Sequence, residues 1–303
     1  MSYLRKFSDL ASYESFKNSG DWVTPNVSVV VDVTYFNRYE APPAVAGDVA
    51  YWDGSKVKTT PLSSWNASLG TAIGVVVVPE GFAPDGKVRI IGLKTVDANG
   101  GQSDSYINMT WGGFGTITGL TNYTRVPTTD NSGSTSTGSN ISGYLPSDAF
   151  TGTQSFVDSK AKYNETSTLI PSPYLGDEPN PEYYKIIDGD NILSDFNGLS
   201  NTQTLVSLGT DYTAANAAWK YNDGSSALQW YLPAMGELGY IMPRLNEINA
   251  TITALGGLVL NVFYLWSSTG YSKYAACYIS TIGGNVANYS KSSTRPVRPF
   301  ATI

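Results

Sequence analysis

Histidine is absent from all 303 residues, which removes the side chain most used for proton transfer, catalytic triads and zinc ligation near neutral pH. Most familiar hydrolase mechanisms go with it. Cysteine occurs once, as Cys277, so no disulfide can form within one chain. Its neighbours Ala276 and Tyr278 belong to an apolar alternating stretch, and a thiol without a histidine to activate it reads as a buried strand residue rather than a nucleophile. Charged residues make up only 15 % of the chain, the net charge is −6 and no basic run occurs, so phosphates cannot be neutralised over a broad face and nucleic acid is not an expected partner. No apolar run reaches the ~18 residues of a membrane span. The opening residues, MSYLRKFSDLASYESFKNSG, lack the apolar core of a signal peptide. The expectation is a chain that neither spans a membrane nor carries an export signal. If it works outside a cell, it arrives by another route, such as assembly into a particle released by lysis.

What is present is aromatic and polar: 21 tyrosines, 30 glycines and many Ser, Thr and Asn, in a length that suits two or three domains at ~100–200 residues each. The fold class expected is α+β, mainly β, in three regions. Residues 1–40 hold a short helical pattern over 8–19, with Leu10, Tyr13 and Phe16 at three-residue spacing, and then a strand in VTPNVSVVVDV. A helix and one strand bury little by themselves. The segment therefore either attaches the chain to another protein or to copies of itself, or packs on the next domain. Residues 41–102 read as a compact β module, with one hairpin at Asp53-Gly54 and a second pair of strands joined through Pro84-Asp85-Gly86.

Residues 103–303 form the third region. TTDNSGSTSTGSNIS, 128–142, is too polar to bury itself and reads as a long loop. YTAANAAWKY, 212–221, is helical by its alanines, and Leu238, Ile241, Met242, Leu245, Ile248 and Ile252 keep helical spacing through a run that Pro243 should kink or restart. After Tyr264 the chain alternates as short strands and hairpins, with Gly283-Gly284 as a turn. Trp230, Leu232, Leu238, Trp266 and Phe300 read as core, while Glu237, Arg295 and Arg298 read as structural hydrogen-bonding groups. Between the core anchors lie Tyr271, Ser272, Lys273, Tyr274, Asn285, Asn288, Tyr289 and Ser290. These eight are the expected ligand contacts, because tyrosine offers a rigid amphipathic face while Ser and Asn adapt their hydrogen bonds. The alternative is an ordinary solvated surface.

Four stretches in order, NTQTLVSLGTDYTAANAAWKY, WYLPAMGEL, LWSST and RPVRPF, resemble the DUF1566-type domain. That resemblance implies a C-type-lectin-like fold over about 103–303, related to the formylglycine-generating enzymes and to ligand-binding proteins diversified by retroelements. Upstream, FSDLASYESFKNSGDWVTPNVSVV and AGDVAYWDGSKVKTT followed by SLGTAIGVVVVPEGFAPDG are similar to N-terminal regions of fibre and head-fibre proteins of Bacteroides-infecting phages, including the crAss-like group. This implies a virion-surface structural protein: 1–40 would anchor to other capsid or tail proteins, the chain would be a homotrimer, and the lectin-like domain would meet a host or mucosal glycan or protein. A secreted or surface bacterial adhesin with the same C-terminal domain is the alternative.

No enzyme, metal or cofactor is expected. The Glu-Pro-Asn tripeptide within DEPNP, 177–181, matches one that sugar-binding C-type lectins use for calcium, but here it precedes both candidate helices and no Trp-Asn-Asp strand follows. Asp188 and Asp190 of DGDN supply a fragment of a calcium loop without its remaining oxygen ligands. The formylglycine-generating chemistry depends on a cysteine pair, and this chain has one cysteine. Glu165, Asp177, Glu178 and Glu237 could serve a glycan hydrolase, yet no spacing singles out a pair.

Overall fold

The hairpin expected at Asp53-Gly54 forms in the computed structural model, where β1 (Val49–Trp52) and β2 (Val57–Thr60) pair antiparallel from Val49↔Thr60 to Trp52↔Val57. Asp53 holds the turn by accepting from the Ser55 and Lys56 amides at 2.8 Å each, and Gly54 takes φ +95°, a conformation open to glycine at no steric cost. The structure describes residues 44–80, 83–123, 192–225, 227–262, 264–282 and 285–303, with backbone alone at 137–140, 194, 243 and 285. The helix and strand expected in 1–40, the DEPNP and DGDN stretches and the Gly283-Gly284 turn lie outside these residues.

Residues 43–303 make one unit. β3 (Thr71–Val78) runs beside β1, and β4 (Arg89–Gly92) beside β3. A small hairpin of β5 (Thr95–Val96) and β6 (Gln102–Ser103) leads to β7 (Asn108–Thr110), and β8 (Thr137–Asn140) follows. Among the described residues the α-helices are α1 (Gly198–Ser207) and α2 (Thr213–Trp219), then, after β9 (Trp230–Tyr231), α3 (Met235–Gly239) and α4 (Leu245–Ala254). A 3-10 turn at Met242–Arg244, with Pro243 near its start, separates the last two, as that proline's missing amide requires. The tail gives β10 (Leu265–Gly270), β11 (Ala275–Ile279), β12 (Asn285–Ser290), β13 (Thr294–Pro296) and β14 (Phe300–Thr302). The chain is thus mainly β with a few helices.

One sheet has the order β2-β1-β3-β4-β14-β9, a second β10-β11-β12-β8, and β13 pairs with β7 as a separate ribbon. The stretch read as a β module of its own, 41–102, therefore shares a sheet with the C-terminal strand and with β9. The four-residue segment 137–140, expected within a loop, pairs with β12 through Asn285↔Asn140 and Ala287↔Thr137. Its residues Thr-Gly-Ser-Asn carry no apolar pattern. An edge strand needs only backbone groups matched to a neighbour, so polarity alone could not reveal it.

Strand parity sorts the apolar side chains into two cores. Ile91, Phe300 and Tyr231 stand in register and enter one core; Ile90, Ala301 and Trp230, one position over, enter the other. The second sheet divides likewise: Leu265, Cys277, Ile279 and Val286 face the first core, while Trp266 and Ala276 face the second, with Tyr278 packed on it. Ala214, Ala215, Ala217 and Ala218 of α2 are all fully buried in the second core, where their small size lets the helix approach closely. The residues expected as core, Trp230, Leu232, Leu238, Trp266 and Phe300, are each at most 1 % exposed. Cys277 is a fully buried strand residue, and burial pushes its thiol well above the usual range.

Candidate functional site

The buried charges near the helices serve the fold. Glu237, at the start of α3, accepts from the Ala234 amide at 2.8 Å, the Tyr231 hydroxyl at 2.9 Å and Arg89 Nε at 2.8 Å. Burial pushes its carboxyl up to about 7, against the pull of Arg89 and those hydrogen bonds. Asp195 is as deeply buried, which raises its pKa, and it is held by the Thr269 hydroxyl at 2.7 Å and the Asn201 amide at 2.9 Å. Arg298 is fully buried and donates to three backbone carbonyls, those of Gly92, Leu258 and Leu93, at 2.6–2.7 Å. Glu237 and Arg298 thus act as the structural groups they resemble in sequence.

Arg295 behaves differently. It is 8 % exposed, its Nε is sealed from solvent with no hydrogen-bond partner, and no ion pair or hydrogen bond of its guanidinium occurs among the described residues. What surrounds it is aromatic: the guanidinium carbon lies 4.4 Å from the ring centres of Tyr264 and Tyr278, 4.5 Å from Tyr289 and 5.1 Å from Trp266. The register explains the cluster. Trp266↔Tyr278 and Ala276↔Tyr289 place three of the rings on one face of the second sheet, and the β7–β13 ribbon lays Arg295 across them. Trp266 ties the two layers by donating its Nε1 hydrogen to the Met109 carbonyl at 3.0 Å. Further along this face Lys291, 1 % exposed, lies 4.8 Å from the Trp111 ring, and burial lowers its pKa to about 8.

The eight residues expected as contacts fall into several places. Tyr271, Ser272, Lys273 and Tyr274 form the β10–β11 turn. There the Ser272 hydroxyl accepts from the Tyr274 and Ala275 amides, and Lys273 sits 4.8 Å from the centre of the Tyr274 ring. Tyr271 is partly buried against the first core, so it supports the turn. Tyr274 is 57 % exposed and meets Phe114 edge to face at 5.8 Å. Asn285, Asn288, Tyr289 and Ser290 lie on β12, where alternation puts Asn288 and Ser290 on the face opposite Tyr289. Tyr264, Tyr278, Phe114 and Arg295 complete the aromatic surface and are not among the eight residues expected from sequence. The even spacing of Tyr278 from Tyr274, which just precedes β11, is the signal the sequence offers. Among the described residues, the exposed large aromatics are Phe114, Tyr264, Tyr274 and Tyr289, all on or beside the second sheet.

A cleft of about 300 Å³ opens next to this cluster, lined by Tyr106, Asn108, Val262, Tyr264, Thr294, Arg295 and Pro296. Tyr106 keeps its hydroxyl engaged with the Val259 carbonyl and the Asn261 amide.

No family model matches the chain, and no curated protein matches it. A fimbrial protein from Bacteroides ovatus ATCC 8483 is similar in its crystal structure, with a TM-score of 0.46 and 15 % identity over 86 % of this chain and 49 % of that one. This chain spans about half the length of that protein. A likeness so distant carries no argument about what this chain does.

Proposed function

We propose that the chain is a non-enzymatic structural protein of a biological surface, one whose C-terminal lectin-like region adheres to glycans or proteins of a host or mucosal surface. The observation that carries this reading is the gathering of Phe114, Tyr264, Tyr274 and Tyr289, all 41–57 % exposed, on one part of a mainly β unit. Large aromatic side chains left in solvent cost free energy unless something covers them, and tyrosine is suited to cover both sugars and proteins. The DUF1566-type reading rests on the sequence resemblance, and the four stretches that carry it lie together in the fold. β9 pairs with β14, α1 and α2 lie against β9, and the Ser268 amide of β10 donates to the Pro233 carbonyl at 2.7 Å.

Within this reading the chain is a capsid-attached head fibre or other fibre or decoration protein of a phage. It would be a homotrimer, joined through residues 1–40 to other virion proteins. Those particulars rest on the sequence resemblance. A secreted bacterial adhesin is the competing assignment, and antibody labelling of particles against labelling of cells separates the two.

The test of adhesion is a cell-binding assay paired with a thermal melt. Tyr274→Ser and Tyr289→Ser should leave the melting temperature within a few degrees while weakening adherence to host cells, because an exposed contact contributes to binding and little to the core. Both variants folding and binding like the parent chain would overturn the assignment of this face.

A further inference from the structure

We infer that the cleft beside Arg295 is a binding site for the carboxylate of an acidic sugar, a uronic or sialic acid. The inference deepens the adhesion reading above and rests on it for the sugar class. Its starting point is a guanidinium that the fold has brought indoors without an anion. Arginine carries five N–H donors and stays protonated, so a buried arginine normally meets a carboxylate or, like Arg298, a set of carbonyls. Arg295 has neither among the described residues; four rings hold it instead. Ring faces attract the cation but accept none of its hydrogen bonds in the plane of the guanidinium, which leaves that edge with unmet donor capacity.

The remaining lining supplies what a sugar needs. Tyr264 and Tyr106 present aromatic carbon on which the C–H face of a pyranose can lie. The Asn108 amide and the Thr294 hydroxyl make no hydrogen bond among the described residues and line the same cleft, free to meet sugar hydroxyls. The volume, about 300 Å³, lies at the small end of ligand sites, which suits one ring and not a long peptide. Burial lowers the arginine's pKa, and the neighbouring Tyr278, Tyr264 and Tyr289 act against that shift. An incoming carboxylate would be drawn to the largely buried cation, which has no carboxylate partner among the described residues.

The experiment uses the full chain and sugars of known structure. Galacturonate and N-acetylneuraminate are titrated in parallel with their methyl esters, with acetate and with methyl glucoside, and binding is followed by calorimetry and by saturation-transfer NMR. Binding by either acid at least tenfold tighter than its own methyl ester is expected, with acetate weaker than both acids. Arg295→Gln should abolish the acid-over-ester preference. Asn108→Ala, at an exposed position, should weaken the acid several-fold with the melt unchanged. The acid-against-ester comparison needs only the parent chain, so an Arg295 variant that fails to fold does not spoil it. Equal binding of acid and ester, or none by either acid at millimolar concentration, overturns the inference. If that happens while the parent chain still adheres to cells in a Tyr274- and Tyr289-dependent way, only the acidic-sugar site falls. Loss of both results removes the adhesion reading as well.

Discussion

Replacing Trp266 probes the layer that supports the exposed aromatics. The indole is fully buried, donates to the Met109 carbonyl at 3.0 Å and forms part of the floor under Arg295 at 5.1 Å. A buried tryptophan removes on the order of 200 Å² from water, which at ~25 cal/mol per Å² sets an upper bound near 5 kcal/mol. Trp266→Ala should therefore cost about 3–5 kcal/mol, the range for deleting a large buried ring and leaving a cavity. Trp266→Phe separates the contributions. It keeps a ring beneath Arg295 but loses the indole hydrogen bond, so about 1–2 kcal/mol is expected from the orphaned carbonyl and the smaller ring. Urea unfolding followed by circular dichroism measures both, with the slope against denaturant checking that the unfolded states remain comparable. An alanine variant that loses less than about 1.5 kcal/mol, or a phenylalanine variant as damaged as the alanine one, would refute the claim that ring burial at this position holds the ribbon to the sheet.

Two further outcomes follow from single positions. Lys291 has a folded-state pKa near 8, below its ordinary 10.5, because burial penalises the charged form. The unfolded chain then binds the extra proton between those values, so stability should rise with pH from about 8 to 10.5 and the charged lysine should weaken the fold below 8. Lys291→Met should raise the neutral-pH melting temperature by a few degrees and flatten that rise; a rise unchanged in the variant would count against it. At Gly198 an added Cβ would meet Glu237 Oε2 at 2.2 Å and the Tyr231 ring at 2.6 Å, so Gly198→Ala should be severely destabilising. Gly113→Ala, with nothing within 4 Å, should be neutral. Equal melting temperatures for the two alanine variants would refute this packing account.

Much of the local structure is legible because it is set by near neighbours in sequence. Asp53-Gly54 makes its turn from its own side chain and its own φ, Pro243 breaks its run by lacking an amide, and the alanines of α2 declare a helix that packs closely. The assignment of strands to sheets is less visible. β14 completes a sheet begun more than two hundred residues earlier, with Phe300 opposite Ile91, and nothing in RPVRPF names that partner. A boundary drawn at 102 follows composition, whereas the sheet follows hydrogen-bond partners. The polar strand at 137–140 escapes notice for the same reason, since its pairing partner β12 is the only thing that makes it a strand.

The candidate site shows that limit at its sharpest. Arg295 and Arg298 stand three residues apart, one before Pro296 and the other before Pro299, and their local contexts are nearly the same. Read locally, they earn one role between them. In the fold, residues 92–93 and 258 bring carbonyls to Arg298, while residues 264, 266, 278 and 289 bring rings to Arg295. Carbonyls engage an arginine's donors and make it part of the scaffold. Rings neutralise some of its field and leave the buried Nε without a hydrogen-bond partner, which is the feature the proposed carboxylate site uses. Which arginine is held by carbonyls and which by rings is therefore decided by segments that lie far away in sequence, and the signal is the chemistry of the atoms facing each guanidinium.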